Sequence, residues 1–181
     1  MQVAQLIPVQ DDVYDEEALA MARQTFQFAR NGNTRELTRL LRAGLPATLM
    51  NEKGDSLLML ASYHGHGDTV MLLLSYGADP ETANDRGQTP LAGAAFKGDV
   101  AMMEILVEGG ARVDGRTHDG KTPLMFAAMF DRVEAVEYLL GRGADIELAD
   151  GNGGTALGLA RAMGAQRTPA VLLAARARAV H

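Results

Sequence analysis

Cysteine and tryptophan are absent from this 181-residue chain, and the aromatics amount to five Phe and four Tyr. Without cysteine there is no disulfide framework, no thiolate metal site and no cysteine nucleophile. The cellular compartment is left open by that absence. With so few aromatic rings, a core has to be built from Ala, Leu, Met and Val. No stretch approaches about 18 uninterrupted apolar residues, so no membrane partner is expected. The opening twenty residues, MQVAQLIPVQDDVYDEEALA, carry neither a basic start nor an apolar run of secretory-leader length, so a cytoplasmic location is expected. Basic residues are in deficit, 17 against 23 acids for a net charge of −6. That balance speaks against nucleic acid as a partner, because phosphate contacts need cations. What is present, 47% hydrophobic and 22% charged residues, is the composition of a globular chain.

Twenty glycines stand out, and they are spaced. Gly54, Gly87, Gly120 and Gly153 lie 33 residues apart. Each is followed two residues later by Ser56, Thr89, Thr122 or Thr155, and then by Leu58, Leu91, Leu124 or Leu157. Gly44, Gly77, Gly110 and Gly143 keep the same step, as do Leu40-Leu41, Leu73-Leu74, Leu106-Val107, Leu139-Leu140 and Leu172-Leu173. Three independent series with one period identify an internal repeat.

The unit GQTPLAGAAFKGD, Gly87 to Asp99, has a direct physical reading. Thr89 offers a side-chain oxygen to the unpaired amides of a first helical turn. Pro90 suits the first helical position, where a missing N–H costs nothing. Leu91, Ala94 and Ala95 then recur at helical spacing, and Gly98 stops the helix. A second helix, Val100 to Val107, presents Met103, Leu106 and Val107 and ends at Gly109-Gly110. The polar stretch from Ala111 to Asp119 forms a turn-rich loop. Two short helices cannot bury an apolar face alone, whereas stacked copies can.

GQTPLAGAA (87–95), GKTPLMFAA (120–128), SYGADPE (75–81) and GRGADIE (141–147), at this period, resemble the ankyrin repeat. The resemblance runs over about residues 19–178. It implies an all-α solenoid, a stack of about five helix-turn-helix units with projecting β-hairpin loops. Three units are full (about 52–84, 85–117 and 118–150), and two are capping units (about 19–51 and 151–181). Residues 1–18, with Asp11, Asp12, Asp15, Glu16 and Glu17, are an acidic tail or leading helix. At the other end Arg161, Arg167, Arg176 and Arg178 stand without an acid, as a solvated cap. The usual His after Thr-Pro-Leu is missing: Met59, Ala92, Met125 and Gly158 stand there, so packing by Met and Ala is expected to replace its hydrogen bonds. Asp131-Arg132 replaces the Gly-His turn that Gly65-His66 retains.

Catalytic chemistry finds no foothold in the sequence. His64, His66, His118 and His181 are the only histidines, and none sits in a nucleophile–base pattern. His64-Gly-His66 falls in a turn with no further metal ligands nearby. Asp114 and Asp119 lack calcium-loop spacing, and Gly151 to Gly154 follows no strand of a nucleotide-binding unit. No enzyme activity, cofactor or metal is expected.

Function then falls to a surface. The resemblance implies contact positions at the ends of the first helices and at the loop tips. The first group is Tyr63, His64, Phe96, Lys97, Met129, Phe130 and Met163; the second is Lys53, Asp55, Arg86, Gln88, His118 and Lys121. Tyr63, Phe96 and Met129 recur 33 residues apart, so stacking aligns them in one apolar stripe. That stripe either faces a partner or folds back onto neighbouring helices as core. The sequence expectation is a non-catalytic protein-interaction scaffold with another protein as partner, the chain itself being a monomer or weak homodimer. The alternatives are an accessory subunit of a bacterial enzyme, by analogy with small bacterial ankyrin proteins that accompany oxidative-stress enzymes, and a host-directed effector.

Overall fold

The computed structural model describes residues 11–179. Ten helices are found among them: α1 (Asp11–Asn31), α2 (Thr34–Arg42), α3 (Leu57–Tyr63), α4 (Gly67–Ser75), α5 (Pro90–Lys97), α6 (Val100–Glu108), α7 (Pro123–Met129), α8 (Val133–Gly141), α9 (Ala156–Ala162) and α10 (Thr168–Ala179). They pair antiparallel within each 33-residue unit and stack in two layers. The first helices α1, α3, α5, α7 and α9 form one layer, and the second helices form the other. The acidic leading segment is helical from Asp11 onward, while residues 1–10, like His181, lie outside the described residues. Arg161 sits within α9 and Arg167 just before α10, so the C-terminal helix itself carries Arg176 and Arg178.

Each of α3, α5, α7 and α9 starts by the same device. Ser56, Thr89, Thr122 and Thr155 accept hydrogen bonds from the amides of Met59, Ala92, Met125 and Gly158, at 3.0 to 3.4 Å. The Met125 sulfur accepts the Thr122 N–H in return at 3.4 Å. The residues that replace the family's histidine are packed instead: Met59, Ala92 and Met125 are all buried. Between the layers lies one continuous core. Leu58, Leu91 and Leu124 from the first helices meet Leu73, Leu106 and Leu139 from the second, with Leu172 closing the end.

The loops between units are tight turns without regular strands among the described residues. Two are closed by isolated antiparallel bridges, Met50 to Ser56 and Ala149 to Thr155. One side chain holds each turn from inside. Asn51 Oδ1 accepts the amides of Lys53 and Asp55; Asn84 Oδ1 accepts those of Arg86 and Gln88; Asp150 Oδ1 accepts those of Asn152 and Gly154. Thr117 takes the same place with its hydroxyl. Successive turns are joined by single backbone hydrogen bonds, from Asp85 to Lys53 O, His118 to Gly87 O and Gly151 to Asp119 O.

Within a unit the two helices are joined at a residue of left-handed backbone. Gly32, Gly65, Gly98 and Gly164 fill this position with φ between 67° and 79°, and Asp131 fills it in the fourth unit with φ 55°. A non-glycine residue is strained there. Asp131 is held by its neighbours in the next unit. Its carboxylate accepts the amides of Arg167 and Thr168, both at 2.9 Å, and its carbonyl accepts Arg167 Nη2 at 2.9 Å. The Thr168 amide above all, with Arg167, draws the Asp131 carboxyl down to about 2.

Candidate functional site

Three successive units expose a groove between the first-helix layer and the loops. Its floor and walls are Met59, Leu60 and Tyr63 of α3, Ala92, Gly93 and Phe96 of α5, and Phe126 of α7; Asp55, Arg86 and Gln88 edge it from the loops. Its volume is about 440 Å³. Repeat geometry brings these residues together, because residues one unit apart occupy equivalent places on stacked helices.

Tyr63 is 49% exposed, whereas Phe96 and Met129 are half-buried. The stripe therefore does both things the sequence left open: it opens to solvent at one end and is covered toward the other. The covering has a simple cause. Phe130 reaches back one unit and sets its ring edge-on against Phe96, with centroids 4.4 Å apart. Lys97, the equivalent residue one unit earlier, reaches back to Tyr63 instead. Its ammonium lies 4.9 Å from the centre of the Tyr63 ring and donates to the Tyr63 carbonyl. His64 lies beside Tyr63, ring centres 5.6 Å apart, and is held below the ordinary histidine range by burial first and then by His66, Lys97 and Arg30.

The same backward reach ties the units together behind the stripe. His66 Nε2 donates to the Arg30 carbonyl at 2.7 Å, and Arg132 Nε donates to the Phe96 carbonyl at 3.1 Å. Arg132 thus takes over the tie that histidine makes in the second unit, which is how the Asp131-Arg132 replacement is accommodated.

The other sequence candidates are distributed along the stack. Met163 is exposed at the C-terminal end. Lys53 edges a second groove, with Leu19, Phe26 and Met50, at the N-terminal end. His118 is exposed at a loop tip. The Lys121 ammonium is already engaged, with Asp119 and with the buried Asp150 carboxylate at 3.5 Å. Asp119 is lowered chiefly by Lys121, and Lys121 is raised chiefly by Asp119. The carboxylate at the groove, Asp55, accepts amide protons from Asn84 at 2.9 Å and Asn51 at 3.3 Å. Arg86, by contrast, is exposed, and its guanidinium enters no ion pair or hydrogen bond among the described residues.

Sequence reasoning passed over Leu60, Gly93 and Phe126 as groove residues. Their signal was available: they form a row at the 33-residue step, one helical turn before Tyr63, Phe96 and Met129.

A family model described as "Ankyrin repeats (3 copies)" matches residues 25–117, 58–150 and 112–179. The chain belongs to the ankyrin repeat family. Ankyrin repeats mediate protein–protein interaction and are not, as a family, catalytic. This ankyrin chain is 59% identical over 58 residues to an ankyrin repeat protein of Pseudomonas aeruginosa, a match covering 32% of the chain and 34% of the relative. It is also 33% identical over 61 residues to an inactive serine/threonine-protein kinase of Mus musculus, covering 34% of the chain and 4% of that protein. The chain thus spans about a third of the bacterial relative and a small part of the mouse one. None of the helices among the described residues is long and apolar enough to cross a membrane.

Proposed function

We propose that this ankyrin chain is a non-catalytic protein-interaction module whose partner lies along the groove between the first helices and the loops. The observation that carries this reading is the groove itself. Apolar side chains of three successive units line it, and Tyr63 at its edge is half in solvent. Contiguous apolar surface rimmed by polar groups is where soluble proteins bind others, and large aromatic side chains dominate such contacts. Tyr63, His64, Phe96, Lys97 and Phe130 form the centre of the contact. Asp55, Arg86 and Gln88 form its loop edge. Lys53, His118, Lys121, Met129 and Met163 lie beside or beyond the groove and contribute less.

Tyr63 and Met71 provide a matched test, being 49% and 51% exposed on opposite layers. A photo-crosslinking side chain is introduced at position 63 or at position 71, and irradiation is carried out in cells of the source organism. The reading expects a protein adduct at position 63 that disappears with Phe96→Ala/Phe130→Ala. Equal adducts at both positions, or adducts at position 71 only, would place the interaction elsewhere.

A further inference from the structure

The groove owes its depth to one missing side chain. Leu60, Gly93, Phe126 and Leu159 occupy the same place in four successive units, so a glycine interrupts a row of large apolar residues. Nothing in the fold asks for it. Gly93 lies in the interior of α5, outside the left-handed region, where glycine weakens a helix relative to alanine. Helix packing does not require it either. Beyond its chain neighbours and its own helix backbone, a Cβ at Gly93 would meet no heavy atom nearer than Tyr63 Cδ2 at 4.0 Å, an ordinary van der Waals contact. The space that a leucine or phenylalanine fills in the neighbouring units is here open to solvent.

The helices of the two layers beside the gap differ in charge. Helices α3, α5, α7 and α9 carry Lys97 and Arg161 and no carboxylate, while α4, α6 and α8 carry Asp68, Glu104, Glu108, Glu134 and Glu137 and no cation. At the groove, the Asp55 carboxylate is held by two asparagine amides and the Lys97 ammonium lies over Tyr63, whereas the exposed Arg86 guanidinium has no partner among the described residues.

Resting on the protein-binding reading above, we infer that the gap over Gly93 is an anchor pocket for one large apolar side chain, Leu or Phe, of a partner segment that carries a carboxylate beside it. The partner side chain completes the row between Leu60 and Phe126, against the Tyr63 ring. Its neighbouring Asp or Glu pairs with Arg86. This explains a glycine that costs helix stability and a cation left unpaired at the rim.

The test selects a phage-displayed library of random twelve-residue peptides on the full chain, and then titrates the recovered peptides against variants by fluorescence anisotropy. Expected are peptides combining Leu or Phe with an Asp or Glu close by. Gly93→Leu refills the row: it should raise the melting temperature and weaken those peptides by roughly 20-fold or more, the worth of burying one such side chain. Gly93→Ala should also raise the melting temperature and weaken binding only a few-fold. Arg86→Glu should weaken acidic peptides and spare neutral ones. Peptides that are lost with Phe96→Ala/Phe130→Ala yet tolerate Gly93→Leu, or lack the carboxylate pattern, would overturn the anchor pocket and leave the protein-binding reading standing. An empty selection, or peptides indifferent to all these variants, would overturn both.

Discussion

Gly98 and Asp131 occupy the same turn in adjacent units, with nearly the same left-handed backbone, yet they achieve it differently. Gly98 needs no support, because it has no Cβ to strain. Asp131 adopts a conformation its side chain disfavours, and the fifth unit supplies four hydrogen bonds that hold it there. The middle of the stack combines burial on both sides with single ties such as Arg132 to the Phe96 carbonyl. The last helix pair, with a neighbour on one side only, is bound in part by a polar clamp. A unit at the end of a stack has half the interface of one in the middle, and the clamp supplements what burial cannot provide there.

The largest effect that sharpens this contrast comes from the core. Leu124 and Leu172 are both fully buried, one in the middle and one in the last unit. Leu124→Ala should lower stability by about 2–5 kcal/mol and loosen the whole stack, whereas Leu172→Ala should fray α9 and α10 alone. Urea unfolding with hydrogen-exchange readout separates the two.

The clamp itself comes next. Asp131→Ala removes the acceptor and keeps a Cβ in left-handed backbone, so it should free the α10 amides from protection while the central helices stay protected. Asp131→Gly removes the acceptor but relieves the strain, so its effect should be smaller. The reciprocal change, Gly98→Asp, should destabilise. A Cβ at Gly98 would come within 2.9 Å of Arg132 Cδ and would sit in left-handed backbone.

Smaller still is the loss of a helix cap. Thr122 is buried and Thr155 only partly so. Thr122→Ala should lower global stability by about 1 kcal/mol, and Thr155→Ala should act on the last unit with less effect on the whole. Thermal melts followed by circular dichroism decide it.

Acid provides the gentlest probe. Because the folded Asp131 carboxyl lies at about 2, below the ordinary carboxylate value, its contribution is complete above that ordinary value and is lost as pH falls towards about 2. Exchange protection of α10 should therefore decline between about pH 4 and about pH 2 ahead of the central helices. Asp131→Gly should abolish that early decline.

Much of this was legible in the sequence, and the reasons can be given residue by residue. The 33-residue series of Gly, Thr and Leu dictated units, caps and core, because each of those residue types answers a local backbone or packing demand. Asn51, Asn84, Thr117 and Asp150 hold the four loop turns, but their chemical variety hid a shared role that only the hydrogen-bond acceptor has in common. Contacts between units were harder. Lys97 over Tyr63 and Phe130 on Phe96 depend on side chains leaning back across a junction, which spacing along the chain does not encode. The gap at Gly93 shows only once the row is read across units, since one interior glycine in a glycine-rich chain attracts no notice alone.

The single backbone hydrogen bonds that join successive turns bear on how the molecule would respond to force. Each junction repeats the same connection, so the stack resembles a row of like springs coupled in series. Tension applied at its two ends would be shared by all junctions and released at the weakest. Every unit that let go would add about 110 Å of slack, turning a steady pull into a staircase of equal steps.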